Sequence, residues 1–309
     1  MLKKLALGLP AALLLGWLVL SFTLFPSMAV TVAENPVTET PADVDLFFKD
    51  ITVPSDGLGL AGWWIPAENP RAILIFSHGA GSNRTSWFLP SLAFYKAMVE
   101  RGVSVITVDM RNHGNSPDSD GSMGMGAEEW PDAIAMERWL DEHGHTGLPR
   151  IAMGISMGGA TTIYALANGL KADAAILFDP LLNTQDAMAH GGWISFGLPV
   201  FLFQPYAWAT TTFWGLNADE QDALYVGRSL NLPTLLIQDP TDPITRLPFA
   251  QELAANSSAI DLQVAPETPA NAECLSGKGR WGAHVAAFKC HRDYTLGVLD
   301  KFLKTHIFK

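Results

Sequence analysis

Cysteine is almost missing from this chain, with two in 309 residues, Cys274 and Cys290. That excludes a small scaffold held by many disulfides, and without His or Cys at ligand spacing the sequence offers no metal site. No cysteine lies near the apolar N-terminus, so a lipid anchor of the bacterial kind is not indicated. Charge is scarce too, at 17% of residues, and Lys plus Arg (20) fall short of Asp plus Glu (31). A net charge of −11 spread along the chain argues against nucleic acid and anionic lipid as partners. Internal repeats are absent, and no motif calls for a cofactor.

Charge is wholly missing between Lys4 and Glu34, where Leu5–Phe25 forms an apolar run of 21 residues. A bilayer needs about 20 such residues, and two lysines on the short leading side keep that end in the cytoplasm and predict export of the rest. Ser27-Met28-Ala29 would suit a signal peptidase, although an ordinary signal core has only about 7–15 apolar residues. Residues 1–33 are therefore expected to be an uncleaved membrane anchor, with a secreted or periplasmic form as the alternative if the leader is cut.

About 275 residues follow the leader, enough for one large core rather than several domains. Strand-like runs alternate with helical stretches. Leu46–Val53 and Gly59–Ile65 read as an opening antiparallel pair. Ala72–Ser77 follows, then a helix near Ser86–Glu100, a strand at Ser104–Asp109 and a helix near Ala127–His143. This alternation predicts an α/β fold, with a mostly parallel sheet flanked by helices on both faces and its site outside the carboxyl ends of the strands. Asp118–Gly126 reads as a polar surface loop.

The next strand, Arg150–Ile155, runs into Gly154-Ile155-Ser156-Met157-Gly158 and a small-residue helix. A strand that turns this sharply into a helix puts one serine in a strained conformation at the apex and requires glycine on both sides. Upstream, Ala72–Ser77 breaks at His78-Gly79-Ala80-Gly81, a loop whose backbone N–H groups are available to a ligand. Acyl transfer needs two donors aimed at the developing oxyanion, and Ala80 and Met157 are the expected pair. Downstream come a strand at Ala174–Phe178, a strand at Pro233–Gln238, the turn Asp239-Pro-Thr-Asp242-Pro, a helix near Leu247–Ala255 and a strand at Ile260–Val264. His284 follows in a loop before a helical pattern over Val285–Thr305.

Nucleophile, acid and histidine in this order resemble the α/β-hydrolase superfamily, in particular its lidded serine esterases and serine-peptidase-like members, over about Val44 to His306. The resemblance implies a Ser156–His284–Asp242 triad with no cofactor and no metal. Where the family commonly has His-Gly after the strand, this chain has Gln238-Asp239, so Asp239 stays open as the acid, as does Asp179 after the preceding strand. His291 is the rival base. His78 and His113 read as loop supports, and His190 as a surface residue of the lid.

The family places a lid where this chain has 181–230, a stretch dense in aromatics such as Trp193, Phe203, Tyr206 and Trp208. These form either an apolar roof over the substrate or the lid's own small core. Cys274 and Cys290 bracket His284, and in an oxidising compartment they would pair and staple the loop that carries it. The expected function is hydrolysis of an ester or related acyl bond in a small, apolar substrate by an exported, membrane-anchored enzyme. A serine aminopeptidase or amidase, and a catalytically silent binding protein on the same fold, are the alternatives.

Overall fold

Six consecutive buried residues, Ala72–Ser77, form the strand at the middle of the molecule, β3 in chain order. A computed structural model describes residues 2–86, 88–214, 216 and 222–308 (side chains from Pro10 onward). Two apolar helices open the chain, α1 (Leu2–Phe22) and α2 (Leu24–Val30). The hairpin β1 (Lys49–Ser55) and β2 (Leu58–Ile65) follows and leads into β3. Then helix and strand alternate: α3 (Ser91–Val99), β4 (Val103–Val108), α4 (Trp130–Glu142), β5 (Arg150–Ile155), α5 (Met157–Ala167) and β6 (Ala174–Phe178).

An inserted set of helices comes next, α6 (Thr184–Phe196), α7 (Gln204–Phe213) and α8 (Ala223–Gly227). Positions 215 and 217–221 of the expected lid lie outside the described residues. The chain closes with β7 (Thr234–Gln238), α9 (Leu247–Asn256), β8 (Ile260–Val264), α10 (Ala287–Cys290) and α11 (Arg292–His306).

The eight strands make one sheet in the order β1-β2-β4-β3-β5-β6-β7-β8, antiparallel only where β2 meets β1 and β4. Strands β3 to β7 are buried along their whole length, as parallel strands covered on both faces must be. Alternation sorts their side chains into two cores. Ile73 and Ile75 pack with Trp64, Met136 and Ile163, whereas Leu74 and Phe76 pack with Phe94, Phe288 and Leu303.

The chain leaves β3 for β4 on one side and returns to β5 on the other. Adjacent loops therefore diverge at the carboxyl ends of β3 and β5, opening a crevice there.

Three expectations need correction. The first strand begins at Lys49 rather than Leu46, because Phe48 turns to pack edge-on against Trp63 before pairing begins. The helical pattern over Val285–Thr305 is two helices broken at His291. Asp118–Gly126 is only half a surface loop. Its second part is buried, because the Glu129 carboxylate accepts the N–H groups of Gly124 and Gly126 at 2.7 Å each and draws the loop inward.

Candidate active site

Ser156 sits between β5 and α5 with φ 52° and ψ −121°, a conformation that costs a non-glycine residue energy and turns its side chain away from the sheet. The turn is that tight because its neighbours have no side chain. A Cβ on Gly154 would stand 1.9 Å from the Gly158 carbonyl oxygen, and one on Gly158 would stand 2.2 Å from that of Ser77.

The Ser156 hydroxyl lies 3.0 Å from Nε2 of His284, and His284 Nδ1 lies 2.7 Å from Oδ2 of Asp242. Asp242 is held in turn. Its Oδ1 accepts the N–H groups of Ile244 (2.7 Å) and Thr245 (3.0 Å), and the Thr245 hydroxyl donates to Oδ2 at 2.6 Å. The structure thus brings Ser156, His284 and Asp242 together from the ends of β5 and β7 and from the loop after β8. The rings of Phe88 and Trp281 pack against the His284 imidazole, with centroids 5.6 and 5.7 Å away.

Asp179 and Asp239 are close by but engaged elsewhere. Asp179 Oδ1 accepts the Asp239 N–H at 2.7 Å, while Asp239 Oδ1 accepts the N–H and hydroxyl of Thr241 at 2.8 Å each. Burial, reinforced by Asp242 and Asp239, pushes the Asp179 carboxyl well above the usual carboxylate range, and burial also raises Asp239. His291 bonds the Thr268 hydroxyl at 2.8 Å, away from Ser156. His190 Nδ1 faces the Asp186 carbonyl oxygen of its own helix at 2.9 Å.

Ala80 and Met157 both line the same cavity as Ser156. Met157 is the first residue of α5, so its N–H belongs to the amides with no acceptor within the helix. The loop bearing Ala80 is braced by two histidines. His78 Nε2 accepts the Met110 N–H at 3.0 Å, its Nδ1 donates to the Gly79 carbonyl oxygen at 2.8 Å, and His113 Nε2 accepts the Gly81 N–H at 3.2 Å. Burial, with His113 alongside, drives the His78 pKa down to about 3, and burial lowers that of His113. Both rings are then neutral and hold fixed tautomers.

The sequence reading missed two residues. Thr245 had a legible signal, since Asp-x-x-Thr is a turn in which the carboxylate takes the following N–H groups. Lys278 had none. It is buried in a glycine-rich loop, donates from Nζ to the His284 carbonyl oxygen at 2.7 Å, and has its pKa lowered to about 8 by burial, against the attraction of Asp179 and Asp242.

The loop carrying His284 is closed by a disulfide between Cys274 and Cys290, with Leu275, Ala283 and Ala286 as a small apolar core beside it. The cavity in front of Ser156 measures about 460 Å³ and is walled by apolar residues, including Met125, Leu181, Met188 and Ile244. Ala29 of α2 contributes as well. Among the described residues, no group of His, Cys, Asp and Glu has the arrangement to hold a metal ion.

A search among curated proteins finds no match. Solved structures do resemble the chain. An esterase of Pyrococcus furiosus superposes with a TM-score of 0.71 at 21% identity, over 90% of this chain and 98% of its own. An acylaminoacyl peptidase of Pyrococcus horikoshii gives 0.60 at 17% identity, over 88% of this chain and 44% of its own. An alpha/beta hydrolase of Penicillium gives 0.59 at 16%, over 85% and 99%. Residues 74–287 match the alpha/beta hydrolase family, and the chain belongs to that family.

Proposed function

We propose that the protein is an exported serine hydrolase that cleaves an ester or related acyl bond through a Ser156 acyl-enzyme. The observation that carries this reading is the strained Ser156, its hydroxyl 3.0 Å from His284 Nε2 and facing an apolar cavity.

In this mechanism His284 takes the hydroxyl proton as Ser156 Oγ bonds to the acyl carbon, and Asp242 stabilises the imidazolium through Nδ1. The oxyanion is held by the N–H groups of Ala80 and Met157, each donor of this kind being worth about 100- to 1,000-fold in rate. His284 then gives the proton to the leaving alkoxide oxygen. A water molecule, deprotonated by the same ring, releases the acid and restores Ser156.

An ester fits better than a peptide with a free amino terminus. Among the described residues lining the cavity, none is Asp, Glu, Lys or Arg, so an ammonium group would be buried without a counter-charge. Export is supported by the apolar N-terminal helix and the disulfide. In this reading residues 1–33 are the anchor, and 44–306 the catalytic domain with its lid at 181–230.

A fluorophosphonate probe tests the core of the proposal. It should label the full-length protein on Ser156, and Ser156→Ala should abolish both labelling and turnover of p-nitrophenyl esters with an unchanged far-UV CD spectrum. Labelling that survives in folded S156A would refute it. Faster turnover of aminoacyl anilides than of esters would move the enzyme to the peptidases.

A further inference from the structure

Two long stretches of this chain contain no Asp, Glu, Lys or Arg, 5–33 and 187–218. They are far apart in sequence and joined in the fold. Trp17 Nε1 donates to the Leu202 carbonyl oxygen at 2.8 Å. Phe22 packs against Trp208 and Phe213, and Phe25 against Phe196, Phe203 and Tyr206.

The joint leaves much apolar surface outside. Phe201 is 70% exposed and Phe213 64%, with Trp208, Trp214, Leu13 and Leu15 also exposed. Ring contacts join Phe22, Trp208 and Phe213 into one exposed group, and α1 and the lid carry Leu13, Leu15, Phe201 and Trp214 as well, more exposed apolar side chains than soluble monomers usually leave open to water.

Two adjoining cavities lie between these aromatics and Ser156. A second cavity of about 130 Å³, lined in part by Phe25, Met28 and Phe196, shares Ala29, Gly191, Ser195 and Tyr206 with the larger one. Met28 and Phe196 are themselves exposed. The two cavities thus adjoin where α2 meets α6, one at the serine and the other beside exposed side chains.

What covers the patch follows from its continuity with α1. Pro10–Val30 has a mean hydropathy of 2.0, and α1, with Lys3 and Lys4 at its start, has 21 residues and is about 30 Å long, close to the thickness of a hydrocarbon core. Trp17 and Phe22, near the outer end of α1, are where the lid is attached, so a spanning α1 sets the lid at the level of the outer leaflet. Its tryptophans then lie where tryptophan prefers to be, between headgroups and chains. The protein's net charge of −11 points to apolar insertion rather than attraction to an anionic surface.

We propose that α1, α2 and the lid form one bilayer-embedded face, and that a single-chain acyl ester dissolved in the leaflet reaches Ser156 by way of the two adjoining cavities between α2 and α6. The substrate half rests on the reading of Ser156 as nucleophile. The surface half does not.

The test uses full-length protein in phosphatidylcholine vesicles. Because both native cysteines are paired, a nitroxide can be placed on F201C or F213C alone, with K301C on the last helix as control. Labels at 201 and 213 should be more accessible to oxygen than to an aqueous nickel chelate, and the label at 301 the reverse. Labels at 201 and 213 that are open to the chelate, or shielded from both reagents by a second protein copy, overturn the surface.

In the kinetic arm, monooleoylglycerol in the vesicles is compared with p-nitrophenyl acetate in water. A charge placed in the apolar band is costly, so F201E and F213E should each lower the ratio of the two rates by roughly tenfold. An unchanged ratio overturns entry from the leaflet. Lipid-embedded labels on a protein that turns over neither ester would instead overturn the hydrolase reading and retain the surface.

Discussion

The side chain of Lys278 donates to the carbonyl oxygen of His284 at 2.7 Å, which ties a buried cation to the backbone of the residue that faces Ser156. Three carboxylates, Asp179, Asp239 and Asp242, act on the same amine. Lys278 therefore links the loop between the cysteines to the ends of β6 and β7, and is not among the residues that line the cavity.

Replacing Lys278 by Met should lower kcat more than it changes KM, since the cavity wall is left intact while the ring loses its anchor. A pH effect should accompany it. With a pKa of about 8 in the folded protein against 10.5 for an ordinary lysine, Lys278 is neutral in the fold while the unfolded chain still holds the proton, so stability rises between those two values. It is lost as pH falls through about 8. Chemical denaturation at both ends of that window should show the rise in the native protein and its absence in K278M. Equal slopes for the two would count against the lysine being buried as described.

The three neighbouring carboxylates should respond unequally to loss of charge. Asp242→Asn should cut turnover on the order of 10⁴-fold, as expected when the histidine is left in the wrong tautomer. Asp179 has a pKa raised by burial, and its Oδ2 has no hydrogen-bond partner among the described residues, so a neutral Asn replaces a carboxyl already driven towards its neutral form. D179N should keep turnover near the native level. D239N should lie between, through the Thr241 turn it supports. Steady-state kinetics on one ester rank the three, and a loss at D179N as large as at D242N would give the acid's role to the wrong residue here.

Much of this arrangement is legible in the sequence alone. Ala174–Phe178 and Ile260–Val264 are strands with the expected limits, the first because a short buried run between turn formers leaves little choice and the second although only Ile260 of it is buried. Gly154 and Gly158 around Ser156 announced the turn because only residues without a Cβ fit there. The choice among Asp179, Asp239 and Asp242 was open for a physical reason. All three end strands or the turns after them, and what separates them is the direction of each side chain, set by hydrogen bonds to Thr241, Thr245 and the Asp239 N–H. Lys278 was hidden because burial of a lysine in a glycine-rich loop depends on partners distant in sequence. Packing of α1 on the lid was hidden for the same reason, since an apolar helix records that it must be covered and not by what.

The disulfide gives the last prediction. Cys274 and Cys290 are 16 residues apart and close the segment that holds both Lys278 and His284. A loop of that size restricts the unfolded chain by about 3 kcal/mol. Val285, Ala287 and Phe288 anchor the far end of the segment in the main core, but of the apolar residues in the stretch before His284 only Leu275 and Ala283 are buried, so removal of the bond should loosen that stretch before the sheet. The double change C274S/C290S should therefore lower turnover at temperatures where far-UV CD is still native, and slow fluorophosphonate labelling of Ser156 without abolishing it, since the serine stays in place while its base is misplaced. If activity and CD are instead lost together on heating, the bond stabilises the whole fold and has no particular hold on His284. If the variant keeps native turnover up to its melting point, Lys278 and the small core beside the cysteines are enough to position the ring.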